Sequence, residues 1–210
     1  MKIAVVGAAG MVGSRVITEA AHRGHDLIAV FRTERPVTLP PRAVAVVGDA
    51  TDTDRMRELF DGADAIVAAT RPAPGHEHYV TATTTALLDA AAATDTRILV
   101  IGGAAPLRVP GTADLLVLDS PDHVPPPLRP IAAASLAQLN ACRPHPAPWT
   151  YLSPPALLEP GPRTATYRRG TTTLLTTPTG TSHISAEDLA VAVLDELENP
   201  HPETHFTVAY

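Results

Sequence analysis

Val5-Val6-Gly7-Ala8-Ala9-Gly10-Met11-Val12-Gly13 is the stretch that decides the fold of this chain. It continues the apolar run that begins at Ile3-Ala4. After it, Met11, Val12, Val16, Ile17 and Ala20 recur at three- and four-residue spacing, the mark of an amphipathic helix. Three glycines therefore stand where a buried strand turns into a helix. There Gly7 permits the tight turn, Gly10 lets the backbone approach a pyrophosphate, and Gly13 lets helix and strand pack closely. The turn and first helical residues, Ala9, Gly10, Met11 and Val12, then meet phosphates with free amides and the positive end of the helix dipole. A purely structural turn is the alternative. The strand before and the helix after favour nucleotide binding.

Further apolar runs occupy residues 27–31, 43–47, 65–68 and 98–101, with helical patterns near 11–23, 53–60 and 78–93 between them. Alternating strands and helices with short links imply an α/β fold, a Rossmann-type doubly wound parallel sheet with helices on both faces. Strands covered on both faces read as continuous apolar runs, as these do. Residues 104–130 carry seven prolines and read as a long irregular loop with one short strand at 115–118, suited to a substrate wall. A helix is expected over 131–143 and a strand over 149–153. From about 154 to 184 a small C-terminal substrate-side lobe is expected, with 164–169 and 172–176 forming a hairpin about Gly170. Ser185 should cap a last helix, with Glu187 and Asp188 in its first turn and Asn199-Pro200 stopping it; a final strand follows at 206–210.

At 210 residues, 45% of them hydrophobic, the chain reads as a single domain across 1–210. A net charge of −6 without a basic block argues against nucleic acid as a partner. No apolar run approaches the roughly 20 residues that span a bilayer, and the first residues read as a strand rather than a leader. Cys142 is the only cysteine, so no intramolecular disulfide forms and a cytoplasmic location is expected. The pattern leaves monomer and homodimer both open.

The second strand is followed by Phe31-Arg32-Thr33. An acidic residue there accepts the ribose 2′-hydroxyl of NAD, whereas an arginine accommodates the 2′-phosphate of NADP. Arg32 therefore favours NADPH over NADH. Arg15, on the first helical turn, offers a second positive charge. Both also read as ordinary surface arginines, and Glu34 keeps NAD open.

The Gly-x-x-Gly-x-x-Gly spacing resembles that of extended and atypical short-chain dehydrogenase/reductases. Supporting motifs run nearly end to end: Gly48-Asp49-Ala50-Thr51-Asp52, Trp149-Thr150-Tyr151-Leu152-Ser153-Pro154, Glu159-Pro160-Gly161-Pro162-Arg163-Thr164, Ile184-Ser185-Ala186-Glu187-Asp188-Leu189-Ala190 and Phe206-Thr207-Val208-Ala209-Tyr210. The chain resembles the atypical members named as NADH–flavin reductases or NAD(P)-binding proteins, close to the NmrA-like and biliverdin-reductase-B-like families. The resemblance implies that Asp49 and Ala50 border the adenine, and that Ala69 and Thr70 line the cofactor. It places Gly102 and Gly103 at the nicotinamide, with Ser153 and Pro154 beyond. For Asp49 a turn aspartate is the alternative reading.

The larger superfamily transfers a proton through Tyr-x-x-x-Lys on a helix. Lys2 is the only lysine here, and the helix expected to carry the pair reads Ile131-Ala132-Ala133-Ala134-Ser135-Leu136-Ala137. Keto-reduction by that route is therefore not expected. Hydride transfer to a flat conjugated acceptor such as a flavin or quinone needs mainly the juxtaposition of two rings. Gly102-Gly103-Ala104 either floors such a stack or merely closes a strand end. Ser120 and His123 in the proline-rich loop, and Arg71 after the fourth strand, are the candidate catalytic groups. Tyr151 and Tyr167 are further candidates, with Tyr151 expected to pack under the pocket. His76-Glu77-His78 is not a metal site by itself. The expected activity is an NADPH-dependent reductase of a small conjugated molecule. An NmrA-like sensor without turnover and a non-redox isomerase, cyclase or dehydratase are the alternatives.

Overall fold

The computed structural model describes residues 1–34 and 38–210. Their elements are β1 (Lys2–Val6), α1 (Met11–His22), β2 (Asp26–Phe31), β3 (Ala43–Val47), α2 (Thr53–Phe60), β4 (Ala65–Ala68), α3 (Val80–Ala93), β5 (Arg97–Ile101), α4 (Arg129–Cys142), β6 (Trp149–Ser153), β7 (Leu157–Glu159), β8 (Arg168–Gly170), β9 (His183–Ser185), α5 (Ala186–Glu198) and β10 (His205–Ala209). Eight strands form one sheet in the order β3-β2-β1-β4-β5-β6-β10-β8. Every neighbouring pair runs parallel except β8, which lies antiparallel to β10. The strand order reverses between β1 and β4, which opens a crevice at their carboxyl ends.

The pleat distributes the apolar side chains to two cores. Ile3 and Val5 of β1 pack with Val16 of α1 and Val193 of α5. Ala4 and Val6 pack with Phe60 of α2, Leu87 of α3 and Leu139 of α4 on the other face. That arrangement explains the unbroken apolar run of β1. The same expectation does not hold for β3. It is the sheet edge, and Val44 and Val47 are 62% and 42% exposed. At this edge the cover is partial: Val46 still packs on the cluster that holds Met56, Leu59 and Phe60 of α2, while Val44 and Val47 are left open.

Two further expectations are corrected. Residues 115–118 form no strand: Leu116 makes an isolated bridge with Arg108, and Val117–Asp119 is a single 3₁₀ turn. The loop packs instead around its own small cluster of Ala105, Leu107, Val117 and Val124 with Ala132 and Leu174. The hairpin about Gly170 is also absent. Residues 168–170 join the main sheet as β8, while Thr173 bridges to Arg108. Both halves take other partners: residues 168–170 pair with β10, and residues 172–174 bond Arg108 through the Thr172 carbonyl and the Leu174 N–H. The start of the segment is held by Asp188, fully buried at the start of α5. Its carboxylate accepts the N–H groups of Thr164 and Ala165 at 2.8 and 2.7 Å, and the hydroxyls of Thr164 and Tyr210. At this grip Ala165 stands at φ 57°, a left-handed conformation that alanine avoids. Ser185 caps α5 as expected, accepting from the Asp188 N–H at 3.0 Å. β7 and β9 make a separate two-stranded parallel sheet.

Glu19 of α1 anchors the same strap from the other side. It is 4% exposed, and its carboxylate takes Arg163 Nε at 2.7 Å, Arg163 Nη2 at 2.9 Å and Arg23 Nε at 2.8 Å. The Arg163 hydrogen bonds, opposed by burial and helped by Arg23, lower the Glu19 carboxyl from 4.5 to about 2. A carboxyl depressed in the folded state stabilises above its unfolded pKa and loses that contribution as the pH falls through the folded one. Glu19 therefore contributes fully above about pH 5, and its contribution fades towards about pH 2. Glu19→Gln should lower the melting temperature at neutral pH and flatten the acid limb of melting temperature against pH. An acid limb of unchanged steepness would refute the assignment.

Candidate functional site

The carboxyl ends of β1, β4, β5 and β6 converge on one cavity of about 500 Å³. At its β1 end the glycine turn is built from backbone contacts. Gly7 stands at φ +89°, and a Cβ there would lie 2.4 Å from the Ala69 carbonyl oxygen. A Cβ on Gly13 would lie 2.2 Å from the Gly7 oxygen. The turn thus requires glycine at both positions, one for conformation and close approach, the other for helix–strand packing. Gly10 is under less pressure, its Cβ position lying 3.2 Å from the Gly7 oxygen. As N-cap of α1 it supplies no side-chain bond. The first-turn amides of α1 are therefore free for an anion, with the helix dipole behind them.

Of the residues expected at a cofactor, Gly10, Met11, Val12, Ala69, Thr70, Gly102, Gly103 and Pro154 line the cavity. Gly7 and Gly13 lie behind the turn, and Ala9 is exposed beside it. Arg32, Asp49 and Ala50 are outside the cavity wall, at the carboxyl ends of the adjacent strands β2 and β3. Arg32 is exposed and makes no hydrogen bond among the described residues. Asp49 accepts the N–H and hydroxyl of Thr51 at 2.9 and 2.8 Å, a turn aspartate. Those bonds, led by the backbone one and helped by Arg32, hold its carboxyl below the usual range. Arg15, the other positive charge near the turn, donates to Glu187 at 2.9 Å and to the Met11 carbonyl at 3.2 Å.

Ser153 is fully buried and absent from the cavity wall. Its hydroxyl bonds His205 Nε2 at 2.9 Å, and burial together with Arg143 lowers that imidazole to about 4, so it stays neutral. Ser120 is likewise buried, behind the wall, with Oγ 2.9 Å from His123 Nδ1. His123 itself lines the cavity, as does Arg71, which is exposed and has no ion-pair partner among the described residues. The loop thus brings Ser120 and His123 together as a supported imidazole. Tyr167 does not reach the cavity; it donates to Asp195 at 2.6 Å. Cys142 is buried core, and burial raises its thiol to about 12. His76, His78 and Tyr79 stack on one another at the surface, and no cluster of metal-ligating side chains occurs among the described residues.

The floor at β5 is filled from beneath. A Cβ on Gly102 would lie 1.8 Å from the Tyr151 hydroxyl, and one on Gly103 would lie 2.6 Å from Ser135 Oγ. These glycines make room for the protein's own Tyr151 and Ser135. Tyr151 packs under the site, outside the cavity wall; burial raises its phenol well above the usual range, and its hydroxyl is committed to the Ser135 carbonyl at 2.9 Å. On α4 the cavity-facing residues four apart are Ile131 with Ser135 and Ala134 with Gln138, neither a tyrosine–lysine pair. Gln138 was not singled out from sequence. Its signal was faint: one polar residue three positions after Ser135 on an alanine-rich helix.

With this geometry in hand, comparison with known proteins is informative. A family model described as NAD(P)H-binding matches residues 7–200. The uncharacterized protein YwnB of Bacillus subtilis (strain 168) is 35% identical over 212 aligned positions, covering 99% of this chain and 98% of that protein. A solved structure from Streptococcus pneumoniae TIGR4, named as a candidate NADH-flavin reductase, superposes with a TM-score of 0.89 at 29% identity, over 100% of this chain and 99% of that one. Another from Bacteroides thetaiotaomicron, named as a candidate epimerase, gives a TM-score of 0.89 at 32% identity, over 100% and 96%.

Gly102→Ala tests the floor. The added methyl meets a buried ring, and overpacking of this kind costs about 1–3 kcal/mol in urea unfolding. Tyr151→Phe should not rescue it, because the ring carbon Cζ would remain 2.2 Å from the new Cβ. A variant as stable as the parent would show that the floor yields.

Proposed function

The chain belongs to the NAD(P)H-binding family, and from that premise we propose that it is an NADPH-dependent reductase acting on a flat, conjugated small molecule. The observation that carries this reading is the single cavity that joins the free amides of α1 to an apolar wall made by α4 and the proline-rich loop. The residues present fit a nicotinamide dinucleotide: a glycine turn, an uncapped helix N-terminus and an exposed arginine beyond β2 that makes no hydrogen bond among the described residues. When bound, the reduced nicotinamide supplies a hydride. Met11 and Val12 hold the pyrophosphate through backbone N–H groups, while Gly10, whose own N–H is bonded to the Gly7 carbonyl at 2.9 Å, leaves room for its close approach. Arg32 pairs with the 2′-phosphate, beside Asp49 and Ala50 at the adenine. Ala69, Thr70, Gly102 and Gly103 flank the nicotinamide half, with Pro154 beyond and Ser153 bracing the strand end from below.

For the acceptor, Val117, Val124, Leu128 and Ile131 supply apolar surface that excludes water. Arg71 attracts an anionic substituent at the rim. His123, steadied by Ser120, returns a proton to the reduced product. Epimerisation by proton exchange calls for a second base, and the cavity wall holds no Asp, Glu, Tyr, Lys or Cys among the described residues. That poverty favours hydride transfer, whose main requirement is proximity. A chain with one buried, reduced cysteine and NADPH as its reductant suits the cytoplasm; no helix among the described residues is long and apolar enough to cross a membrane.

The test is anaerobic loss of NADPH and NADH absorbance with and without FMN or menadione. Saturable, enzyme-dependent loss with NADPH and one of these acceptors is expected. Binding of NADPH with no turnover of either would remove the reductase reading. Arg32→Ala should raise the KM for NADPH about 10-fold or more while leaving NADH unchanged, the size of a lost charge-assisted bond. Equal loss for both cofactors would overturn the 2′-phosphate assignment.

A further inference from the structure

Beside the glycine floor the cavity is lined by two polar residues of α4 that the proposed chemistry leaves unused, Ser135, whose hydroxyl donates to the Ile131 carbonyl at 3.2 Å, and Gln138. Gln138 is 3% exposed and lines the cavity. Its carboxamide oxygen lies 3.2 Å from the Tyr151 hydroxyl. Its amide nitrogen bonds no described residue, yet is not among the buried polar atoms sealed from solvent. The neighbouring wall is apolar, formed by Val80, Ile131, Ala132 and Ala134. A carboxamide end that opens on the cavity is solvated in the free protein, so a ligand that covers it without replacing its hydrogen bond is penalised and one that replaces it is not.

Tyr151 is a rigid tether. Its ring is fully buried against Gly102, and its hydroxyl donates to the Ser135 carbonyl at 2.9 Å. A phenol has one proton, so the Ser135 carbonyl and the Gln138 oxygen compete for it. If Ser135 keeps it, a half-turn of the amide sets its NH₂ on the phenol oxygen and its carbonyl in the cavity. In both orientations Tyr151 holds one end of the carboxamide and the other end is left for a ligand. The free end is a donor in one orientation and an acceptor in the other, which matches a ligand edge that carries both.

We infer that Gln138 selects the acceptor by hydrogen-bonding an amide- or imide-type edge, a ring carbonyl beside an N–H, on an otherwise apolar flat ring. The inference rests on the reductase reading for the nature of the occupant, but its test is a binding measurement. Lumichrome, a tricyclic ring with an imide edge and no phosphate for Arg71 to attract, is the probe. Phenazine, a flat tricyclic ring without such an edge, is the control.

Each is titrated calorimetrically into the NADP⁺-saturated protein. The parent should bind lumichrome roughly 10–100-fold more tightly than phenazine, the range for a buried hydrogen bond made or missed. Gln138→Leu should abolish that preference, leaving phenazine and NADP⁺ affinities within about two-fold; Gln138→Met, closer in length, repeats the comparison if leucine disturbs the fold. Equal binding of the two probes by the parent, failure of both to bind, or an undiminished preference in the variants overturns the inference. So does loss of NADP⁺ binding in both folded variants, which would assign Gln138 to the cofactor. A preference that vanishes in the variants, in a protein that turns over no acceptor, upholds Gln138 and removes only the reductase reading.

Discussion

The approach of the Gly7 turn to the carbonyl of Ala69 is the constraint on which the rest of the site depends. β1 and β4 are parallel neighbours, and the turn that leaves β1 passes against the carboxyl end of β4, where Gly7 faces the Ala69 carbonyl. It can do so only where no Cβ intervenes. Gly13 repeats the condition one helical turn on, bringing α1 down onto the same turn. Three elements then meet through backbone alone. The free amides of α1 and the open ends of β4 and β5 are left facing one crevice, which is why the cavity starts there.

The far wall of that cavity is held by the small β7–β9 sheet, which sets Leu158 opposite Ile184, and by buried carboxylates behind it. Pro154, Pro155, Ala156 and Leu158 contribute to it, ahead of the strap that Asp188 and Glu19 secure. Both carboxylates are buried, and each is compensated by several donors at once. That density of hydrogen bonds is what makes burial of an acid tolerable. It also explains why the strap runs as an irregular ribbon: the backbone N–H groups of Thr164 and Ala165 are spent on a side chain and are unavailable to a hairpin.

The helix α4 illustrates how much of a site a motif search can miss. The absence of Tyr-x-x-x-Lys was visible in the residues themselves. What stands in its place was not, because Ser135 and Gln138 carry no signature at their spacing. Their meaning arises from Tyr151, which belongs to a different element and fills the space under Gly102. Ser120 and His123 lie the other way round. The sequence marks each only as a candidate group of the proline-rich loop, and the 2.9 Å contact places the serine behind the histidine as its support.

The sequence by itself determined the layered α/β architecture, the strand–glycine–helix opening, the Ser185 cap and the loss of the tyrosine–lysine pair. Each rests on local rules of periodicity, turn geometry and capping, which act over a few neighbouring residues. Only the tertiary structure decided the exposed edge at β3, the 3₁₀ turn in place of a strand at 115–118, the diversion of Arg15 to Glu187 and the strap in place of a hairpin. It alone drew Gln138 into the cavity and Ser153 out of it. These outcomes depend on partners far away in the chain, such as Glu187 for Arg15, 172 residues on. A pattern read along the sequence carries no record of which distant carboxylate, ring or carbonyl will arrive beside it.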